Sequence, residues 1–133
     1  MTGMSMMLPD KLQAAFGRLR AQDLEGAARL CGEVLKDAPR HPDALHLLGV
    51  VRLAGGNADE AASLIRQALE GNPSDAAMLE NLGVAQFVLR NFFAAENLFR
   101  DALMQGALHG HLYMRLGMAL ASQGKLADAV AAL

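Results

Sequence analysis

His109 and His111 flank Gly110, and two imidazoles in one turn are the first place to look for chemistry, because together they could grip a metal ion. No cysteine or suitably spaced carboxylate stands near them to complete a ligand set, so they read as solvated turn histidines. His41 and His46 lie five apart across the junction at Pro42, a spacing that suits contact with a partner more than a ligand pair. Gly55-Gly56 lacks a following Lys-Ser or Lys-Thr and is a turn, not a phosphate loop. No Ser or Cys stands with a His and a carboxylate in a recognisable catalytic arrangement. Cys31 is the sole cysteine, so no intrachain disulfide forms, and no basic residue is obviously aimed at it to make a reactive thiolate. The chain is therefore expected to be no enzyme, with no catalytic residue, cofactor or metal site.

The elements that carry these residues follow from the totals. A chain of 133 residues, 53% apolar and 20% charged, can build the core of one domain. Aromatics are only 5% and Trp is absent, which leaves Leu, Ala, Val and Met to fill the interior and favours close-packed helices over a sheet. With a net charge of −2 and its 12 Lys and Arg scattered, the sequence has no concentrated basic surface for nucleic acid. Neither a basic, apolar leader at MTGMSMMLPDK nor an apolar run long enough to span a bilayer is present. The expectation is a cytoplasmic protein with no nucleic-acid or membrane partner, and an unpaired thiol fits that reducing compartment.

Simple subtraction reveals a repeat of 34 residues: Gly49, Gly83 and Gly117 keep that interval, as do Leu48, Leu82 and Leu116, and Ala27, Ala61, Ala95 and Ala129. Pro39 and Pro73 keep it once. With a Leu-Gly pair in one helix, an Ala opening the next and a Pro closing the unit, the chain resembles the tetratricopeptide repeat family. The resemblance implies an all-α fold of tandem antiparallel helix-turn-helix repeats stacked into a right-handed superhelix, an α-solenoid. Its units would be Leu8–His41, an atypical first copy with Ala14-Ala15 in place of Leu-Gly; Pro42–Asp75; Ala76–His109; and an incomplete Gly110–Leu133. Ala107 stands where Pro closes the other units, leaving the angle of the last hairpin open.

Local signals place the helices. Met1–Met7 carry no periodicity and are expected to be disordered. Helices are expected over Pro9–Ala21 and Leu24–Ala38, with Glu25 and Arg29 spaced for an exposed pair. The next starts at Pro42 and ends before Gly55-Gly56, where positive φ reverses the chain. Asn57 with Glu60 makes an approximate capping box, Ser74 or Asp75 caps the following helix, and Asn91 caps one running to Gln105. After Ser122-Gln123-Gly124 a last helix begins near Lys125, leaving Leu126, Ala129, Val130 and Leu133 partly open. An array normally ends in a polar helix, so the chain is expected to be a fragment of a longer protein or to dock its end on a neighbour.

Small residues let helices approach closely: Gly49, Gly83 and Gly117 are expected opposite Ala61, Ala95 and Ala129, and Ala61→Leu should cost roughly 1–3 kcal/mol by overpacking. The large core partners are Leu45, Leu48, Ile65, Leu69, Leu79, Leu82, Phe99, Leu103, Tyr113 and Leu116, with Cys31 in the slot of Ile65 and Phe99. Second helices are one-sided, as in Asp59, Ser63, Arg66, Gln67 and Glu70 against Ala61, Leu64, Ile65, Ala68 and Leu69, and lie outside.

First helices carry a second stripe: Leu12, Phe16, Leu19; His46, Val50, Leu53; Glu80, Val84, Phe87; and Met114, Met118, Ala121. The resemblance makes this the concave, ligand-bearing wall. Its mostly apolar character, with adaptable Met side chains, points to a protein partner's apolar or amphipathic segment, while burial by neighbouring hairpins is the alternative. His46, Glu80 and Arg115 would add polarity.

The Lys, Asn and Arg clamp that holds acidic chaperone tails in some members is missing, since Leu12, Phe16 and Leu47 stand there. Asn81-Leu82-Gly83 and Asp43–Gly49 look like the repeat arms of bacterial O-linked N-acetylglucosamine transferases and sulfotransferases, although of the asparagine ladder in the former only Asn81 matches, against Gln13, Leu47 and Arg115. Three roles follow: an interaction scaffold, the substrate-recruiting arm of a larger transferase, or a module that self-assembles as a homo-oligomer through its open last helix.

Overall fold

The computed structural model describes residues 7–125 and Ala131. It holds seven α-helices and no strand among those residues, in two compact units, one through Gly71 and one from Asn72. The all-α repeat expectation stands. The expected disorder of Met1–Met7 falls, apart from Met7, outside the described residues, as do the pairing of Gly117 with Ala129 and the open last helix.

In the first unit α1 (Leu8–Arg20) packs on α2 (Leu24–Asp37) and α3 (Pro42–Ala54) on α4 (Ala58–Gly71), while α2 touches α3 and α1 touches α3. In the second, α5 (Ala76–Val88) packs on α6 (Phe92–Met104), and α7 (Gly110–Ser122) lies against both. Each first helix therefore neighbours the next first helix of its own unit, which sets their second stripes side by side.

The turn inside every hairpin is the same. Gln22, Gly56, Arg90 and Gly124, spaced by 34, all have positive φ, at 62°, 89°, 66° and 78°. The N–H of the following residue returns to the carbonyl five residues back: Asp23 to Arg18, Asn57 to Arg52 and Asn91 to Gln86 at 2.8 Å, Lys125 to Leu120 at 2.9 Å. This closure satisfies helix-end carbonyls and needs the left-handed region, where glycine is at ease and other residues are strained. Of the Gly55-Gly56 pair only the second supplies it, Gly55 having φ −83°.

Entry to the first helices is periodic too. His41 Nδ1, Asp75 Oδ1 and His109 Nδ1 accept from the N–H three residues on, at 3.3, 3.0 and 3.3 Å. His41 thus works as an N-cap, and His109 is no idle turn residue. Asn91 precedes α6 without capping it; its amide donates to Gln86 at 2.8 Å. Glu60 reaches Arg52 Nε at 3.1 Å, and the Asn57 N–H that a capping box would give to Glu60 goes to the Arg52 carbonyl at 2.8 Å. Glu25 and Arg29 stay exposed and do not pair, consistent with the small worth of such pairs.

Within the hairpins the helical glycines face large residues first: Gly49 meets Ile65 ahead of the expected Ala61, and Gly83 meets Phe99 in place of Ala95. A Cβ on Gly49 would lie 2.6 Å from Ile65 Cγ1, with the Ala61 carbonyl at 3.3 Å, and one on Gly83 would lie 2.5 Å from Phe99 Cε1. Ile65 and Phe99 are 0% and 1% exposed, and Cys31, 34 before Ile65, is fully buried with Ala15 at the glycine's place. A larger second-helix residue goes with a smaller first-helix one. Burial pushes the Cys31 thiol up to about 11, although Arg52 pulls it the other way, so it stays protonated in the core. Leu48, Leu69 and Leu103 are half-buried, while Tyr113 is 38% exposed and Leu112 beside it takes the buried place. Leu112 shares its register with Met78 and Ala44, which are buried as well.

Candidate functional site: the wall between α5 and α7

Helix α5 is packed by α6 on one side and α7 on another, so Met78, Leu79, Leu82, Gly83 and Ala85 are all buried and so are two polar residues, Glu80 and Gln86. A buried carboxylate requires partners. Glu80 has them: Oε1 lies 2.8 Å from His109 Nε2, and Oε2 pairs with Arg115 Nη1. Because His109 Nδ1 accepts the Leu112 N–H, its Nε2 carries the hydrogen donated to Glu80. One side chain therefore caps α7 and ties it to α5. The expectation that Glu80 offers polarity to a partner gives way here, because both its oxygens are engaged inside and it is 7% exposed.

Beside this cluster the stripe residues Val84 and Phe87 of α5 meet Met114 and Met118 of α7, and with Phe99, His111 and Arg115 they line a cavity of 280 Å³. Met114 and Met118 are 52% and 49% exposed. They lie one helical turn apart, so both point to the same side of α7. Phe87 also stacks edge-on to Phe92 at 5.1 Å and borders a second hollow with Val88, Arg90 and Ser122.

In the first unit Leu12 and Leu19 of α1 and His46, Val50 and Leu53 of α3 are half-buried, and Phe16 is exposed, with the Arg20 guanidinium 5.7 Å from its ring. Asn81 is half-buried on α5 and does not line the cavity, and Ala121 is exposed at the end of α7.

His111 and the pairing of Glu80 with His109 were not foreseen. The signal existed: His109 shares its register with His41 and Asp75, and an acid inside an apolar stripe calls for a cation. The rings of His109 and His111 are 6.3 Å apart, and no group of three His, Cys, Asp or Glu among the described residues is arranged to hold a metal. A second ion cluster joins α6 to the turn after α7. Glu96 accepts from Arg100 Nε and Gln123 Nε2 at 2.9 Å and from Lys125 Nζ at 3.0 Å. Burial alone would raise its carboxyl, but the hydrogen bond from Gln123 and the two cations outweigh it and hold the pKa at about 2.

A family model described as tetratricopeptide repeat matches residues 18–86, and a second of the same description matches residues 80–133. The chain belongs to the tetratricopeptide repeat family. As a tetratricopeptide repeat protein it is a helical scaffold of the kind used for protein interactions. No curated protein gives a significant sequence match. Among solved structures it is similar to MamA from Desulfovibrio magneticus RS-1, at 18% identity and TM-score 0.85 over 95% of this chain and 71% of that one. It is also similar to the Sgt2 TPR domain from Aspergillus fumigatus, at 15% identity and TM-score 0.83 over 91% and 82%. Those two likenesses carry the fold alone. An O-GlcNAc transferase mutant from Thermobaculum terrenum is 28% identical, with TM-score 0.79, over 88% of this chain but 23% of the transferase. No helix among the described residues is long and apolar enough to cross a membrane.

Proposed function

We propose that this tetratricopeptide repeat chain is a non-enzymatic interaction module that receives an apolar or amphipathic segment of a partner protein on the second stripe of its first helices. The observation that carries this reading is the cavity between α5 and α7, walled by Val84, Phe87, Met114 and Met118, with both methionines half exposed. Exposed apolar surface of this kind marks interaction sites, and flexible thioethers adapt to varied occupants. In the first unit Leu12, Phe16, Leu19, His46, Val50 and Leu53 offer a corresponding row, with less of it exposed. A cytoplasmic setting belongs to the same reading, supported by the lone buried thiol.

Panning a random peptide library against the protein, with Val84→Glu as the counter-selection, tests it. The expected result is enrichment of apolar or amphipathic peptides that the variant no longer binds, at unchanged helical circular dichroism. Equal enrichment by both proteins would remove the wall from consideration.

The 28% identity to a stretch of an O-GlcNAc transferase supports a second reading, a substrate-recruiting arm of a larger transferase. A catalytic domain encoded after Leu133 decides for it, and a stop codon there decides against it. Self-association through the last helix, which lies outside the described residues, is checked by sedimentation across a concentration range.

A further inference from the structure

We propose that the occupant of the α5/α7 wall is an apolar segment carrying one carboxylate beside its apolar face, an inference that rests on the wall being a binding site at all. The floor is apolar, yet its two polar residues, His111 and Arg115, are both nitrogen bases with N–H groups to donate. Among the described residues no oxygen acid lines the cavity, and Glu80, the carboxylate paired with Arg115, has one oxygen committed to His109 and the other to Arg115.

Arg115 gives Glu80 its Nη1 and keeps further N–H donors in its planar fork, on a side chain 40% exposed. His111 is exposed on the turn before Met114 and Arg115 and takes no part in the Glu80 cluster. The rim is thus rich in donors and poor in acceptors. An incoming lysine would face the Arg115 guanidinium and find at most a ring nitrogen of His111 to accept from it, whereas a carboxylate would complete the guanidinium fork.

Size argues for a side-chain anchor. At 280 Å³ the cavity is just under the range of about 300–1,000 Å³ that holds whole small molecules, and it suits one or two large side chains at the centre of a protein contact. A purely acidic tail would leave Val84, Phe87, Met114 and Met118 without a partner, so the charge accompanies apolar residues.

Three fluorescent synthetic helical peptides test this, sharing one face of Leu and Met and differing in a single flanking residue, Glu, Ser or Lys. Anisotropy titrations use the full chain and its variants His111→Glu and Met118→Glu, both at exposed positions, with helical circular dichroism checking that each variant is folded. The Glu peptide is expected to bind about tenfold more tightly than the Lys peptide at low salt, the size of one charge-assisted bond at a solvated rim. His111→Glu should cancel or reverse that order, and Met118→Glu should weaken all three. If the peptides bind alike but Met118→Glu still weakens them, the carboxylate assignment is overturned and the apolar wall survives. If none binds, or Met118→Glu changes nothing, the wall itself falls and this inference with it.

Discussion

The two units are built from the same hairpin, yet their charges are spent differently. In the first, the described ion pairs stay inside one hairpin: Lys11 with Glu33, Arg18 with Asp23, Arg52 with Glu60. In the second, Glu80 reaches from α5 to His109 and Arg115, and Glu96 reaches from α6 to Lys125, so ions bridge one hairpin to the next. The positions 34 earlier than those acids hold His46 and Ala62, and those 68 earlier hold Leu12 and Ala28. A seam held by directional bonds can leave apolar side chains uncovered. That is where Met114 and Met118 stand exposed, whereas in the first unit Leu12, Leu19, His46, Val50 and Leu53 of the stripe are half-buried.

The sharpest way to break the comparison is through the pairing of large with small. Phe99→Ala should cost about 3–5 kcal/mol in a denaturant titration, since nothing else fills that core slot. Gly83→Ala alone should cost roughly 1–3 kcal/mol by overpacking against the ring and should become harmless in the Phe99→Ala background. If the two effects simply add, the glycine is not there for the phenylalanine.

Next comes the bridging acid. Glu80→Gln should lower stability by about 1–3 kcal/mol, since it removes the counter-charge of Arg115 and weakens the bond that His109 donates, as read by urea unfolding. A variant as stable as the parent would show that packing, not charge, holds α7 to α5.

Glu96 provides a pH test. Its folded pKa of about 2 is below the ordinary 4.5, so its stabilising contribution is complete above the unfolded value and drains away as pH falls from about 4.5 towards 2. Glu96→Gln should flatten that part of the acid-unfolding profile. An unchanged slope would mean the cluster is already open in solution.

The smallest effects belong to the turns. Gln22→Gly should stabilise by about 1 kcal/mol by relieving a side chain held at positive φ, and Gly56→Ala should destabilise by a similar amount. Arg90→Gly should gain less than Gln22→Gly because it also gives up the guanidinium lying 5.4 Å over Phe92. Melting temperatures of the three variants check the order.

Much of this was legible in the chain itself. The 34-residue interval placed seven helices to within a few residues, and the apolar spacing of Val84, Phe87, Met114 and Met118 named side chains that do gather on one wall. Asp75 as a cap and Cys31 as a core residue were equally readable. The misreadings share a cause. His109, Asn91, Glu60 and Tyr113 each had a local signal, but which neighbour a side chain turns to depends on what the rest of the fold brings near it.

Periodicity of small and apolar residues is a property of one helix face at a time, so the sequence alone determined that this chain forms helical hairpins and which faces stay apolar. Register across helices is another matter, since it depends on how rods of given width settle against each other. Only the tertiary structure decided that Gly83 makes room for Phe99, that His109 closes on an acid 29 residues earlier, and that two methionines are left facing solvent. Those are long-range choices among packing partners, and no local pattern encodes which partner arrives.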